Sequence, residues 1–252
     1  MISASIINFN QADKLENCLK SISGFADEIL ILDLGSKDNS KKIAEKFGAK
    51  FMSNEFVQYV ELLRNKSVGW AKGDWVLVLD PDEEFTVKLK EKLKEIVREN
   101  KYDCINIPRK NIFFGKWIAH TNWWPDYHVR FFKKGKVSWS NKIHLYPKTS
   151  GELLNLPAKE DLAIIHKGYD SISEFINRQN RYSLIEAENL YADGHRFSLQ
   201  DFFWKPTREF LVRYIKHMGF MDGFYGFVLT FLMMLYKIQV MIKIWEIQKQ
   251  KQ

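Results

Sequence analysis

The sequence predicts an α/β fold, a mostly parallel, Rossmann-like sheet flanked by helices and followed by a C-terminal helical extension. Through the first hundred residues, aliphatic strand-like runs alternate with amphipathic helical segments, as in parallel sheets with right-handed crossovers. One apolar run without alternation, 75–79, is typical of a central strand covered on both faces. Four acidic residues follow this run within five positions, at the edge where open α/β sheets bind ligands.

The individual elements follow from hydrophobic periodicity and from turn residues. Apolar positions recur every three or four residues in the helical segments, and Gly24 and Gly48 end the first two helices. The predicted order is strand 2–9, helix 15–22, strand 28–33, a helix ending near 48, strand 49–53, helix 57–71, strand 75–79, helix 86–101 and strand 102–108.

Composition limits the class of protein and of partner. The 252 residues fit one large domain, or one domain with an appendage, and 46% hydrophobic residues supply a core. A net charge of +7 favours anionic partners, but the basic residues are dispersed and no nucleic-acid module is present, so nucleic acid is not an expected partner. Cys18 and Cys104 are predicted core residues. The first strand starts at once and reaches the polar Asn8 and Asn10, unlike a signal peptide, which favours a cytoplasmic location.

The pattern changes after residue 105. Residues 109–147 contain short aromatic-rich strands, in which Trp123 and Trp124 are candidates either for stacking on a sugar ring or for filling a small aromatic core. A long helix, 173–192, then carries Arg178 and Arg181, whose alternatives are anion binding and solvated surface. We therefore divide the chain into a Rossmann-like nucleotide-binding half (1–105), a second half of the same domain (106–170) and a C-terminal helical region (171–252).

The C-terminal region is predicted to lie on a membrane surface. The run 224–236 is almost wholly apolar but shorter than the about 20 residues that span a bilayer. Lys237 and Lys243 interrupt its continuation, which ends at Trp245. Basic residues near anionic lipid and a boundary tryptophan are typical of an interfacial helix. A core helix and a dimer interface are the alternatives.

The acidic residues that follow strand 75–79 are the strongest candidates for a functional site. Pro81 cannot continue a sheet ladder, so the carboxylates of Asp80, Asp82 and Glu83 lie just past the strand. Mg²⁺ and Mn²⁺ prefer oxygen ligands and are often shared with substrate phosphates, which suggests a metal that clamps a nucleotide diphosphate. The alternative is an acidic turn before a helix capped by Thr86.

The motifs occur in an order that resembles the family 2 glycosyltransferases of the GT-A fold. The similarity is greatest to the branch containing lipopolysaccharide-core glucosyltransferases, and it runs nearly end to end. The motifs are Asn8-Phe9-Asn10, Asp33 followed by Gly35-Ser36-Lys37-Asp38, Arg64-Asn65, Asp80-Pro81-Asp82-Glu83, Trp123-Trp124-Pro125-Asp126, Arg130-Phe131-Phe132 and the C-terminal Gly219-Phe220 and Asp222-Gly223.

The resemblance implies a role for each matching donor-site residue. Asp33 would hydrogen-bond the uracil of a UDP-sugar with Asn10 nearby, and Arg64 would approach the nucleotide or diphosphate unless it is an exposed helix arginine. Asp80 would face the ribose or sugar, and Asp82 would bind Mg²⁺ or Mn²⁺ on the diphosphate. Asp38 is expected to cap the following helix.

Direct transfer with inversion also needs a base that takes the proton of the acceptor hydroxyl. Asp126 is the candidate, with a structural turn aspartate as the alternative. Relatives often carry a glutamate after the residue corresponding to His144, where this chain has Leu145, which leaves acceptor chemistry open. His166 is a candidate metal ligand or phosphate contact, or a structural histidine.

The resemblance therefore implies an inverting, metal-dependent transferase that moves a hexose from a UDP-sugar to a glycan or lipid-linked acceptor in cell-envelope polysaccharide synthesis. It also implies that residues 1–105 are the nucleotide-sugar-binding half of the domain and that residues 106–170 are the acceptor-side half. The non-enzyme alternative is a catalytically degenerate, membrane-associated scaffold for another transferase. A sugar-1-phosphate nucleotidyltransferase would need a glycine-rich basic loop after the first strand, and a dehydrogenase would need G-x-G-x-x-G; both are missing.

Overall fold

The computed structural model describes residues 1–140 and 146–251, and these form two compact units. The first unit contains Met1–Lys110 and Asp126–His166, and the second contains Asn111–Pro125 and the C-terminal part from Lys167. This division follows packing contacts. It does not test the functional division at residues 105 and 170, which stays a prediction.

The described residues form seven α-helices and twelve strands, with β6 and β12 each beginning in the first unit and ending in the second. The helices are α1 (Ala12–Ser21), α2 (Ser40–Lys46), α3 (Glu61–Gly69), α4 (Val87–Glu99), α5 (Ile172–Ala192), α6 (Leu199–Phe210) and α7 (Phe224–Gln250). The strands are β1 (Ile2–Asn8), β2 (Glu28–Asp33), β3 (Lys50–Ser53), β4 (Trp75–Leu79), β5 (Glu83–Glu84), β6 (Cys104–Phe113), β7 (Lys116–Trp117), β8 (Asp126–Lys133), β9 (Val137–Ser138), β10 (Lys148–Thr149), β11 (Leu153–Asn155) and β12 (Ile164–Tyr169).

The main sheet has the strand order β3-β2-β1-β4-β8-β6-β12-β5. Strands β1 to β4 are parallel, and β1 and β4 are buried along their whole length, which confirms the predicted central strands. Because β1 pairs with both β2 and β4, the carboxyl ends of these three strands meet at one edge.

Strand β8 reverses direction and places its first half beyond the end of β4. It pairs antiparallel with β4, with Leu77 opposite Phe131, so the same register places residues 126–128 past Leu79. On its other side β8 pairs antiparallel with β6, with Arg109 opposite Asp126. The side chains at the start of β8 therefore reach the acidic segment that follows β4.

The second unit is mainly helical. Helix α7 packs against α5 and α6, and its buried side chains join Phe113, Tyr169 and Phe175 in one hydrophobic core. Helix α6 continues through a π-helical segment, Leu211–Lys216, and a 3₁₀ turn, Gly219–Asp222, leads into α7.

Local details confirm several sequence-based expectations. Cys18 and Cys104 are buried free thiols, and the Thr86 hydroxyl accepts the Leu89 amide as the N-cap of α4. Asp38 accepts the backbone amides of both Ala12 and Ser40, so it binds the starts of α1 and α2 together.

Two expectations about the C-terminal helix are wrong. Helix α7 is long and apolar enough to cross a membrane by length and composition alone, because the helix continues without a break past Lys237 and Lys243. These two lysines also do not point to lipid. Lys237 forms an ion pair with Glu186 of α5 at 3.0 Å, and Lys243 donates to the Asn180 side chain of α5 at 2.7 Å.

At the amino edge of the sheet, the side chain of Glu28 joins three segments of the first unit. It accepts hydrogen bonds from Ser3 Oγ at 2.6 Å, from the Lys72 amide at 2.9 Å and from Lys50 Nζ at 2.6 Å. Burial raises the pKa of Glu28, but the bonds from Lys50, Ser3 and Lys72 outweigh it and lower the pKa to about 2. The adjoining Gly73 leaves no room for a Cβ, which would lie 2.7 Å from the Met1 carbonyl oxygen.

Because its folded pKa lies below the unfolded value, Glu28 contributes stability that is complete above the unfolded pKa and is lost as pH falls toward 2. We expect Glu28→Gln to lower the free energy of unfolding by about 1–3 kcal/mol at pH 7. The difference from wild type should fall to less than half at pH 3, measured by urea unfolding at both pH values. An equal difference at both pH values would contradict this role.

Candidate active site at the carboxyl end of β4

A cluster of buried charges lies directly after β4. Asp80 pairs with Arg64 of α3 at 2.5 Å and with Arg130 of β8 at 2.6 Å. Burial raises the pKa of Asp80, but the positive charges of Arg130 and Arg64 outweigh it and hold the pKa well below its usual range. Asp80 is therefore an anion held between two arginines.

Glu83 extends the cluster toward β6. Its fully buried carboxylate accepts from Arg130 at 2.6 Å and from Arg109 at 3.3 Å, and it also accepts the backbone amide of Asp80. Burial lowers the pKa of Arg109 and of Arg130, but neighbouring carboxylates outweigh it and raise both pKa values. The guanidinium groups are permanently charged, and Glu83 fixes their positions.

Asp126, His128 and Arg130 occupy alternate positions of β8 and so share one face of the strand. Asp126 Oδ2 accepts from Arg109 Nε at 2.9 Å and from Arg109 Nη2 at 2.7 Å, and its Oδ1 lies 3.1 Å from His128 Nε2. Burial, together with the charge of Arg109, lowers the pKa of His128, so the ring is neutral at physiological pH.

Two of these arginines keep unused donors. Arg64 and Arg130 are both buried, and in the described part of the chain neither Arg64 Nη1 nor Arg130 Nε has a hydrogen-bond partner. A buried charged donor without an acceptor costs about 1–3 kcal/mol or more. Both nitrogens are suited to an anionic ligand that supplies additional oxygen atoms, such as a diphosphate.

Asp82 and His166, which sequence analysis named as metal ligands, are neighbours in the structure. Asp82 Oδ2 lies 3.5 Å from His166 Nε2, because β5 pairs with β12 and places Glu83 opposite His166. No group of three or more His, Cys, Asp or Glu side chains is placed to hold a metal within residues 1–140 and 146–251. The donor set of one carboxylate and one imidazole fits a cation that takes its remaining oxygens from substrate phosphates.

Asp33 and Asn10 lie at the same sheet edge, at the ends of β2 and β1. The buried Asp33 carboxylate accepts from Asn8 Nδ2 at 3.0 Å and from the hydroxyl and amide of Ser36. Asn10 adopts a left-handed conformation with φ 49°, and its side-chain oxygen accepts the Lys37 amide. Both side chains therefore shape the two loops that border this edge.

The sequence left alternatives open for Arg64, Trp123 and Trp124, and the structure gives the surroundings of each side chain. Arg64 is a buried partner of Asp80, so the alternative of an exposed helix arginine is wrong. Trp123 packs in the hydrophobic core of the second unit, and Trp124 contacts Trp117 edge to face. His144 and Leu145 lie outside the described residues.

Sequence analysis missed the roles of Arg109 and His128. The signal for His128 was present, because polar residues at 126, 128 and 130 alternate with Tyr127 and Val129. Arg109 carried no such signal, since its approach to Asp126 depends on the register between β6 and β8.

Comparison with known proteins is consistent with this architecture. An uncharacterized glycosyltransferase of Rickettsia bellii is 27% identical over 241 residues, covering 90% of this chain and 80% of the relative. The crystal structure of S. aureus TarS 1-349 has a TM-score of 0.51 at 14% identity, covering 100% of this chain and 92% of that chain, and it supports the fold alone. Glucosyl-3-phosphoglycerate synthase from Mycobacterium tuberculosis, solved with Mn²⁺ and UDP, covers 44% of each chain with a TM-score of 0.37, which carries no argument about this site.

The profile of the family described as Glycosyl transferase family 2 matches residues 3–150, which include β1 to β4 and the whole charged cluster after β4 except His166. This match covers more than half of the chain. The protein has the GT-A fold and belongs to glycosyltransferase family 2.

Proposed function

We propose that this glycosyltransferase is an inverting, metal-dependent enzyme that moves a hexose from a UDP-sugar to a glycan or lipid-linked acceptor at the cytoplasmic face of the cell membrane. Synthesis of a cell-envelope polysaccharide, as in the lipopolysaccharide-core branch, is the setting that the motifs favour. The observation that carries the proposal is the buried cluster of Asp80, Arg64 and Arg130 at the carboxyl end of β4 in a family 2 chain.

The donor would lie along the shared edge of β2, β1 and β4. Asp33 and Asn10 border the end that would receive uracil, and Asp80 would face the ribose or sugar. The unused nitrogens of Arg64 and Arg130 would donate to the diphosphate oxygens, while Asp80 keeps both guanidinium groups in place. This arrangement gives the nucleotide anion charge-assisted hydrogen bonds in a buried setting.

Asp82 and His166 would hold Mg²⁺ or Mn²⁺. When bound, the cation offsets the negative charge that develops as UDP departs. Arg130, which pairs with Asp80, would add the positive charge of its own guanidinium group.

Asp126 would accept the proton of the acceptor hydroxyl. Arg109 donates twice to one of its oxygens, which fixes the orientation of the carboxylate, and the other oxygen contacts His128. Since His128 is neutral at physiological pH, its ring adds no positive charge that would oppose protonation of Asp126. Inversion requires that the acceptor hydroxyl attack the sugar on the side opposite to the departing UDP.

Replacement of Asp82 tests the metal assignment. Asp82→Ala removes the only carboxylate of the proposed pair, so we expect the Mn²⁺-dependent affinity for UDP to fall about tenfold or more. Calorimetry with Mn²⁺ and with EDTA measures the difference, and Glu45→Ala on the exposed face of α2 is the matched control. Unchanged Mn²⁺-dependent affinity in Asp82→Ala would refute the assignment.

Replacement of Asp126 separates donor binding from transfer. Asp126→Asn removes the proton acceptor while preserving the shape of the side chain, so we expect the transfer rate to fall by roughly 10²–10⁴ with UDP affinity retained. The exposed Asp161→Asn is the control and should keep full activity. Rates come from release of UDP with acceptor present. A fully active Asp126→Asn would exclude Asp126 as the base.

A further inference from the structure

The second unit exposes many large apolar side chains between residues 199 and 231, and we name this set the α6–α7 face. It runs from α6 through the π-helical segment and the 3₁₀ turn to the first turns of α7. Phe203 is 67% exposed, Ile215 is 58% exposed and Phe224 is 77% exposed. On an ordinary protein surface, exposed large apolar residues are scattered singly rather than grouped. The other exposed apolar members are Leu199, Trp204, Leu211, Met218, Phe220, Met221, Tyr225, Phe227 and Phe231.

Ring contacts join the parts of this face. The Tyr214 ring contacts Phe220 of the 3₁₀ turn at 6.2 Å and Phe227 of α7 at 6.0 Å between centroids. Phe224 stacks with Phe227 at 6.5 Å. The turn itself is held inward, because the buried Asp222 carboxylate accepts the backbone amides of Ala119 and His120. Hydrogen bonds within the second unit therefore anchor the turn that carries these exposed rings.

Every acidic side chain of this face is either in an ion pair or buried. Residues 199–231 contain three of them, and the most exposed of the three is Asp201, whose side chain is partly exposed. Asp201 is paired with Lys205 at 2.9 Å, Glu209 is paired with Arg213 at 2.5 Å, and Asp222 is buried. Arg208 and Lys216 are exposed beside the apolar side chains. The face thus combines exposed rings and exposed cations with acidic side chains that are paired with a cation or buried.

Polar side chains of helix α7 bind α5 within the second unit. The Tyr236 hydroxyl and Lys237 Nζ both contact the Glu186 carboxylate of α5, and Lys243 bonds Asn180 and Ser183. Crossing a bilayer would strip α7 of these partners and place charged groups in hydrocarbon. The exposed face of α6 and α7 is therefore suited to lying in an interface rather than to spanning it.

We propose that the α6–α7 face docks on the anionic surface of a lipid bilayer, with its rings at the headgroup level and Arg208 and Lys216 on acidic headgroups. The proposal deepens the proposed function, since it names the surface that would bring the enzyme to a lipid-linked acceptor. Exposed aromatic side chains flanked by exposed basic side chains are the composition of interfacial segments. A second copy of the chain fits less well, because a two-fold interface would confront Arg208 and Lys216 with each other.

The test is flotation of the full chain with vesicles of neutral phosphatidylcholine and with vesicles that also contain phosphatidylglycerol. We expect strong flotation only with the anionic vesicles. The double variant Ile215→Glu/Phe224→Glu should lower the bound fraction at least tenfold, because it places two anions among the rings. The matched control, Ile176→Glu/Leu184→Glu, changes two exposed apolar residues of α5 and should float like wild type.

A second variant tests the electrostatic part. Arg208→Gln/Lys216→Gln should weaken binding to anionic vesicles by about fivefold per removed charge. Its binding should also respond less to added salt than that of wild type. Equal flotation with neutral and anionic vesicles, or no flotation with either, would overturn the proposal. So would an equal loss in the α5 control.

Two further measurements separate this proposal from other outcomes. Sedimentation of wild type and of Ile215→Glu/Phe224→Glu measures whether the face forms a dimer interface. A wild-type dimer that the variant dissociates, together with no vesicle binding, would assign the face to a second copy and refute the lipid proposal. Calorimetry of the same variant with Mn²⁺ and UDP should match wild type. If the chain floats with anionic vesicles but neither wild type nor any variant binds UDP, the docking face would be supported and the proposed transferase function would be refuted.

Discussion

The first unit depends on a balanced set of buried charges at the end of β4. Asp80, Glu83 and Asp126 supply three carboxylates, and Arg64, Arg109 and Arg130 supply three guanidinium groups. These six groups come from α3, from the segment after β4, from β6 and from β8. Removing one member of such a set leaves an uncompensated buried charge, which costs about 3–5 kcal/mol. The cluster therefore fixes α3, β6 and β8 around the sheet edge, and the same groups that stabilise this arrangement are those suited to binding an anionic donor.

Much of the first unit could be predicted from the sequence. The apolar strands 2–8, 28–33 and 75–79 lie within a few residues of their predicted bounds, because continuous aliphatic runs fit a sheet covered on both faces. The acidic segment was placed correctly, since Pro81 ends the strand. The arginine partners were harder to find. Arg109 meets Asp126 only through the pairing of β6 with β8, and a register between distant strands has no local signature.

In the C-terminal region, the sequence did not predict which way the lysine side chains point. Its composition predicts an amphipathic helix with basic residues, but a helix can direct a lysine either to solvent or to a neighbouring helix. Glu186 and Asn180 of α5 decide the direction of Lys237 and Lys243, and both lysines are turned inward. The exposed cations beside apolar rings are instead Arg208 and Lys216, which precede α7 in the sequence. The proposed membrane docking therefore involves the exposed residues of α6 and of the turn before α7.

The central claim is that Asp82 and His166 hold a divalent cation on the diphosphate of a nucleotide donor at the carboxyl end of β4. A crystal of the full chain grown with Mn²⁺ and UDP tests it most directly, because anomalous scattering locates manganese without reference to the surrounding atoms. We expect one anomalous peak in contact with the Asp82 carboxylate and the diphosphate, with Arg64 and Arg130 donating to the same phosphates. A nucleotide bound elsewhere, or manganese without Asp82 among its ligands, would contradict the account.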